Sequence, residues 1–412
     1  MLLLYRIIIF IVFFFSPLIL VFRIINKKET YESFLDKVGK IKHKRTAKGK
    51  LIWFHGSSVG EILGVIPLIE KLENKKDIKQ ILITSNTLSS AKIIKKIKLK
   101  KTFHQFFPLD TEFLVEKFLN HWKPKAVFFI DSEIWPNMII KIKEKKIPLI
   151  LLNARITKKS YKRWKKLNSF SKNLFSKFEL SLPQNKETSI YLKKLGAKKI
   201  KNIGNLKLCE TNEKNLPTLN SSQVNYFNKK KVLLIGYSTH DPEESFCADI
   251  FKSLRKNKNE IMILIPRHIE RSNSIGQELN YKNLITYKHS SREIIDKNTD
   301  VYLVDTYGEA KKFLKYSKII FTGGSIIQHG GQNPLDAVRQ NSIVIHGPYI
   351  HNFTEIYEFL RKEKISFKFN NLSQAKKLIK SKNLVNLNTR NKLKKISSKI
   401  LKSTKLTLLK YV

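Results

Sequence analysis

The chain predicts an α/β protein built from two Rossmann-like, doubly wound domains behind an apolar N-terminal segment, and three observations carry that prediction. From Leu51 onward, short apolar runs alternate with amphipathic Lys-rich segments, the pattern of βαβ units feeding a parallel sheet. The polar stretch from Leu206 to Val224, with Pro217 inside it, interrupts this rhythm, which then restarts. In the second half, Ile319–Val338 reads IIFTGGSIIQHGGQNPLDAV, an apolar strand running into two Gly pairs and then a helix opening at Pro334. With 412 residues the chain can fill two full-sized cores.

The N-terminal segment comes first. Leu2 to Phe22 is almost wholly apolar, broken by Arg6, Ser16 and Pro17. At roughly 1.5 Å per residue it matches a hydrocarbon core of about 30 Å, which predicts a membrane anchor over residues 1–23. Arg23, Lys27 and Lys28 follow at once and place the remainder on the cytoplasmic side by the positive-inside rule. No small-residue cleavage site of the A-x-A kind follows the apolar run, which argues against a signal peptide. Arg6 leaves open a helix that lies in the membrane interface instead of crossing.

Strands are expected at Leu51–His55, Gln80–Thr84, Ala126–Asp131 and Ile147–Asn153, with helices between them that include Glu61–Glu73 and Ser89–Ile97. The second half offers strands at Val232–Ile235, Glu260–Ile265, Val301–Val304, Ile319–Thr322 and Ser342–His346. The expected organisation is an anchor over 1–23, a first domain over 24–207, a linker over 208–224, a second domain over 225–388 and a basic helix over 389–412. Two such domains would face each other across a cleft at their strand carboxyl ends, where ligands of doubly wound sheets bind.

Composition narrows the function. The formal charge is +46, from 79 Lys and Arg against 33 Asp and Glu. That charge is spread through nearly every helical segment and is not gathered on a recognisable nucleic-acid module, so nucleic acid is not the expected partner. An anionic membrane surface fits it better, as does a plain bias toward Lys, Ile and Asn. The two cysteines, Cys209 and Cys247, have no paired spacing, which argues against a disulfide framework or a zinc site.

Polar residues cluster where the strands end. After the first strand, His55-Gly56-Ser57-Ser58-Val59-Gly60-Glu61 forms a turn into a helix, and Glu61 can either act as general base toward an acceptor hydroxyl or complement the helix dipole. Asp131-Ser132-Glu133-Ile134-Trp135-Pro136-Asn137 follows another strand and makes a sugar-binding corner with an indole platform. Asp131 and Glu133 lack a neighbouring His or third carboxylate, so no metal is expected there. Asn153-Ala154-Arg155 and Gly204-Asn205-Leu206-Lys207 close later elements, and each brings a lone cation.

In the second half, Gly236-Tyr237-Ser238-Thr239-His240 precedes Glu243 and Glu244, so Ser238 or Thr239 can cap a helix whose first turn takes the two acids. Pro266-Arg267-His268 follows the next strand, and its cations suit an anionic ligand. Asp305-Thr306-Tyr307-Gly308-Glu309 reads as a capping turn. In the glycine segment, Gly323 and Gly324 allow close backbone approach of a nucleotide, and Asp336 can accept from a ribose hydroxyl. The glycines can equally serve only a tight turn.

In this order, these blocks resemble the 3-deoxy-D-manno-octulosonic acid (Kdo) transferases of lipopolysaccharide synthesis, over nearly the whole chain. The blocks are the N-terminal anchor, His55 with Ser58-Val59-Gly60-Glu61, Phe107-Pro108-Leu109-Asp110, Glu133-Ile134-Trp135-Pro136-Asn137, Asn153-Ala154-Arg155 and Gly204-Asn205-Leu206-Lys207. They continue with Pro266-Arg267-His268, Val304-Asp305-Thr306, Gly323-Gly324-Ser325 and Gly330-Gly331 with Asn333-Pro334-Leu335. Gln332 and Asp336 depart from the family's usual His and Glu, and Gly56-Ser57 replaces bulkier residues.

The resemblance implies a GT-B glycosyltransferase at the inner membrane, with its catalytic domains on the cytoplasmic face. It would transfer Kdo from the cytidine monophosphate conjugate CMP-Kdo to the lipid A precursor, with no cofactor or metal. Glu61 matches the family's general base, and Arg267 is expected to assist departure of CMP. Donor contacts are expected from Ser238, Thr239, Pro266, His268, Gly323, Gly324, Ser325, Gly331, Asn333 and Asp336. Acceptor contacts are expected from Ser58, Glu133, Trp135, Asn153, Arg155, Asn205 and Lys207. A GT-B transferase using a uridine diphosphate (UDP) sugar on a lipid-linked acceptor is the alternative.

Overall fold

The computed structural model describes residues 1–45, 49–97, 99–209, 218–291, 293–380 and 388–412. Residues 210–217 of the expected linker, Pro217 among them, lie outside the described residues, as do residues 381–387. The chain divides into two compact units, Met1–Asn212 with Ile396–Val412, and Glu213–Lys395.

The first unit holds a six-stranded sheet of β1 (Lys50–His55), β2 (Ile78–Ser85), β3 (Thr102–Phe106), β4 (Ala126–Ile130), β5 (Leu149–Ala154) and β6 (Leu180–Pro183). The order is β3-β2-β1-β4-β5-β6 and every pairing is parallel. β1, β4 and β5 are covered on both faces, which is why they read as unbroken apolar runs such as AVFFI instead of alternating. Trp53 anchors the core. Its ring lies 4.8 Å from Phe118 and 5.6 Å from Phe129, and its indole N–H donates to Thr84 at 2.9 Å, so the one polar atom of a fully buried side chain is satisfied. Its truncation to Ala would cost about 3–5 kcal/mol.

The second unit holds seven parallel strands, β7 (Lys231–Thr239), β8 (Glu260–Pro266), β9 (Thr286–Lys288), β10 (Val301–Leu303), β11 (Ile319–Thr322), β12 (Ile343–His346) and β13 (Ser366–Lys368), in the order β13-β12-β11-β7-β8-β10-β9. Its core gathers Cys247, Phe251, Phe321 and Phe369. Cys247 and Cys209 are both buried and form no disulfide.

The doubly wound prediction therefore holds, with four additional strands. β3, β6, β9 and β13 flank the expected strands, and they are short, polar or interrupted by Pro. The segment expected as a linker runs into a helix at Ser221–Lys229, opened by a capping box between Asn220 and Gln223. The basic helix at Thr389–Leu408 begins with the second unit, and from Ile396 it belongs to the first. There Lys201 donates to Thr407 at 3.0 Å, Cys209 meets the Ser397 carbonyl at 3.6 Å, and Gly204 leaves room for Ile400.

In each sheet the strand order reverses direction beside its first strand, between β1 and β4 in the first unit and between β7 and β11 in the second, while β9 lies outside β10 at the far edge of the second sheet. At such a switch point the connections leave on opposite faces, opening a crevice beyond the strand carboxyl ends. The chemistry-bearing segments lie at both.

Candidate active site

At the first switch point, His55 ends β1 and is fully buried. Its Nδ1 meets Thr84 Oγ1 at 2.9 Å, its Nε2 meets Glu133 Oε2 at 3.0 Å, and its ring stacks on Phe107 with centroids 3.9 Å apart. The Trp135 indole N–H donates to the same Glu133 oxygen at 2.7 Å. Burial alone would raise the Glu133 carboxyl, but the hydrogen bonds from His55 and Trp135 outweigh it and hold it below the usual value. Glu133 is thus a fixed anion that locks the indole.

Glu61 sits across this crevice in the first turn of the helix Val59–Glu73. Ser58 caps that helix by accepting from the Glu61 N–H at 3.3 Å. In return, the Glu61 carboxylate accepts from the Ser58 hydroxyl at 2.8 Å and the Ser57 N–H at 2.7 Å. Burial pushes the Glu61 carboxyl above the ordinary glutamate value, the Ser58 hydroxyl opposes this, and the Glu133 and Asp131 carboxylates push it further up. Glu61 therefore sits at the helix start, as its dipole reading expects, as a carboxylate whose basicity is raised by its surroundings.

Asn153, Asn205 and Lys207 meet around Asp131. Lys207 Nζ lies 2.8 Å from Asp131 Oδ2, Asn153 Oδ1 accepts from the Leu206 N–H at 2.8 Å, and Asn205 Oδ1 accepts from the Lys207 N–H at 2.9 Å. Asp131 and Asn153 both occupy the left-handed region, with φ of 62° and 51°, where Asn and Asp are tolerated best. Gly64 in the facing helix leaves room for the Lys207 stem, 3.4 Å from where a Cβ would sit. These polar groups brace the strand ends beneath Glu133. Arg155, half-buried, has no side-chain hydrogen bond or ion pair among the described residues.

At the second switch point the geometry corrects two expectations. β7 continues through Thr239, so neither Ser238 nor Thr239 caps the following helix; Pro242 stands at its N-cap, and Thr239 donates to Glu244 at 3.0 Å. Glu243 does more than occupy the first helical turn. Its carboxylate accepts from the N–H groups of Gly324 (2.6 Å), Ser325 (2.9 Å), Ile326 (3.0 Å) and His240 (3.0 Å), so three amides of the glycine segment are already taken. Gly323 admits the neighbouring strand. A Cβ there would lie 2.1 Å from the Ser238 carbonyl oxygen.

The other predicted donor residues gather on the same crevice. Ser325 Oγ bridges the Thr322 carbonyl and the Gly347 N–H, Asn333 accepts from the Leu335 N–H at 3.1 Å, and Gly331 N–H donates to Gly324 at 2.7 Å. Asp336 already accepts from the Tyr237 hydroxyl at 3.4 Å and pairs with Lys311 and Arg339, each at 3.3 Å, so its carboxylate is engaged within the protein. Pro266 ends β8, and the Arg267 N–H then donates to the Thr239 carbonyl at 2.9 Å.

The Arg267 and His268 side chains are exposed. His240, between them and the glycine segment, has ring centroids 4.3 Å from His329 and 5.5 Å from His268, and Gln332 reaches its Nε2 at 3.3 Å. Burial, then electrostatic repulsion from His329, His268 and Arg267, lower His240 to about 4. The arrangement offers an anion an exposed guanidinium beside neutral imidazole. No group of three or more His, Cys, Asp or Glu among the described residues is arranged to hold a metal ion.

Sequence reasoning passed over His55, Glu243 and His329 as site-building residues. His55 and Glu133 are 78 residues apart and Glu243 and Gly324 are 81 apart, so only the fold joins them.

Two parallel doubly wound units with their functional loops at the switch points define a GT-B glycosyltransferase fold. The glycotransferase of kitacinnamycin shares it with a TM-score of 0.53 at 10% identity, covering 89% of this chain and 100% of that one, a likeness of fold alone. Residues 32–209 match the family model described as 3-deoxy-D-manno-octulosonic-acid transferase (kdotransferase). A 3-deoxy-D-manno-octulosonic acid transferase of Rickettsia typhi is 33% identical over 367 residues, spanning 88% of this chain and 78% of the relative. That of Haemophilus influenzae is 31% identical over 313 residues, spanning 75% and 73%. The chain belongs to the 3-deoxy-D-manno-octulosonic acid transferase family.

Proposed function

We propose that the protein transfers Kdo from CMP-Kdo to a hydroxyl of the lipid A precursor, with inversion at the anomeric carbon and Glu61 as general base. The observation that carries this reading is the environment of Glu61, a carboxylate of raised basicity held by Ser57 and Ser58 beside the Glu133–Trp135 corner. Glu61 takes the proton of the acceptor hydroxyl as its oxygen bonds to the anomeric carbon. The bond from that carbon to the phosphate oxygen breaks on the opposite face, and the electron pair leaves with CMP. Charge grows on the departing phosphate, where Arg267 and His268 would neutralise it without a metal. Glu133 and Trp135 would shape the acceptor side, with Ser58, Asn153, Arg155, Asn205 and Lys207 supporting it. The chain is read as acting at the cytoplasmic face of the inner membrane through its N-terminal apolar helix.

The test is mass spectrometry of the product formed by the full chain from CMP-Kdo and tetra-acylated lipid A precursor, beside the Glu61→Gln variant. The reading expects Kdo adducts with the natural chain and none with the variant, while CMP affinity stays within about twofold. An active Glu61→Gln enzyme would overturn the base assignment. Displacement of a bound donor by UDP instead of CMP would overturn the donor assignment.

A further inference from the structure

The helix Leu2–Ile25 is long and apolar enough to cross a membrane, yet contacts tie it to the first unit at its start, middle and end. Tyr5, Ile9, Phe13, Ser16, Leu20 and Ile24, three or four residues apart, form one stripe turned to the protein, with Ser16 and Leu20 buried. The opposite face, from Leu3 to Ile25, exposes large aliphatic and aromatic side chains and carries no charge before Arg23.

Both ends of this helix are tied down. At its start, the Tyr5 hydroxyl donates to Asp110 Oδ2 at 2.7 Å, while Arg6 donates to Asn137 Oδ1 at 3.2 Å and pairs with Glu112 at 2.8 Å. In the middle, Phe13 meets Phe113 edge-on at 5.0 Å. At its end, Arg23 pairs at 3.3 Å with Glu29, which is itself buried against Lys37. Pro17 cannot donate to the Phe13 carbonyl, and the Ser16 hydroxyl fills that place at 2.7 Å.

A 24-residue helix is about 36 Å long. If it crossed a bilayer, Tyr5 and Arg6 would sit near the far headgroups. Asp110, Glu112 and Asn137 would then have to enter the hydrocarbon with them or lose those partners, and either outcome leaves polar groups buried unpaired.

Building on the membrane-bound reading above, we propose that this helix does not cross a bilayer but lies along one leaflet. Its outward apolar face enters the lipid, and its two ends are clamped to the first unit. The occupant of that face is an anionic lipid surface. Arg23, Lys27 and Lys28 stand exposed where the helix ends, and a chain of net charge +46 is drawn to such a surface. The clamp also reaches the acceptor corner. Asp110, which holds Tyr5, accepts from the N–H groups of Asn137 (2.9 Å) and Met138 (2.8 Å), the first turn of the helix that follows Glu133 and Trp135. The membrane helix thereby fixes that corner at one height above the lipid.

Single cysteines at Leu4, Ile11, Leu18 and Phe22, spaced seven, seven and four residues apart, share the outward face and can each carry a nitroxide; the native Cys209 and Cys247 are buried and do not compete. The full chain is reconstituted with vesicles of phosphatidylethanolamine and phosphatidylglycerol, and label depth is read by power saturation. The proposal expects one shallow depth for all four labels, about 5–10 Å below the headgroups. In the double variant Tyr5→Phe with Arg6→Gln, the Leu4 label alone should move. A gradient with Ile11 near the midplane, about 15 Å deep, and Leu4 open to relaxant on the side opposite the domains means a crossing helix and overturns the proposal while leaving membrane attachment intact. Dipolar broadening between copies without lipid contact assigns the face to a second chain and also overturns it. Failure of the chain to float with vesicles overturns the membrane reading itself.

Discussion

Glu243 Oε2 lies 2.6 Å from the amide nitrogen of Gly324, and through this contact a buried carboxylate organises the loop that the sequence offered to a nucleotide. Anion-binding amides that face a protein carboxylate hold their own loop in shape first. A donor phosphate, if it binds at this switch point as proposed, would then be left to the cations after β8. Replacing Glu243 by Ala should leave the amides of Gly324, Ser325 and Ile326 unpaired and cost about 1–3 kcal/mol. Thermal unfolding and calorimetric titration with CMP check this, and both stability and CMP affinity are expected to fall.

Gly323 and Gly60 make a matched pair. A Cβ at Gly323 would meet the Ser238 carbonyl oxygen at 2.1 Å, whereas one at Gly60 meets nothing within 4 Å. Gly323→Ala should destabilise the second unit by about 1–3 kcal/mol or more, as overpacking does. Gly60→Ala, on an exposed helical turn, should gain up to about 1 kcal/mol. Denaturant midpoints of the two variants decide it.

If Glu61 is the general base proposed above, its raised carboxyl should set the acid limb of the rate profile. A general base works when ionised, so activity is lost as pH falls through its folded value. Because burial, Glu133 and Asp131 lift that value above the ordinary one, the loss should begin at a higher pH than for a free glutamate. Substituting Glu133 by Gln removes one of the two carboxylates and should shift the acid limb of kcat/KM downward in pH.

Lys207 offsets the buried charge of Asp131 at 2.8 Å. Lys207→Met alone should cost about 1–3 kcal/mol, because the carboxylate stays behind without its cation. Adding Asp131→Asn, which keeps a residue tolerant of φ near 62°, should recover most of the loss. A double-mutant cycle in urea measures the recovery.

Arg267 would carry the permanent charge of the proposed donor crevice, since His240 is lowered to about 4 and stays neutral near pH 7. Arg267→Ala should weaken CMP at least tenfold, or about 1.4 kcal/mol, and Arg267→Lys should restore only part of it. Titration with CMP at fixed ionic strength reads the change.

The strands β1, β4 and β11, and the VLLI stretch of β7, were legible because burial makes their sequences continuously apolar. β9 and β13 were not, since Thr286–Lys288 and Ser366–Lys368 are short, largely polar edge segments whose pairing comes from a neighbouring strand. In the site, Glu61 and Glu133 could be found by their place after strands. The partners that define their chemistry, His55 for Glu133 and the Gly324 amide for Glu243, lie about 80 residues away in sequence and leave no local trace. Spacing likewise showed the N-terminal helix to be apolar, but not that Asp110 and Glu112 would hold its first turns.

The last helix gives the chain an order of assembly. Residues from Ile396 onward pack on the first unit, where Leu408 is wholly buried and Thr407 bonds to Lys201. A ribosome therefore completes the second unit before it delivers the final piece of the first. The half that emerges earliest must wait with a gap beside Gly204 until Ile400 arrives, so the core of the first unit closes only after the second unit has been made.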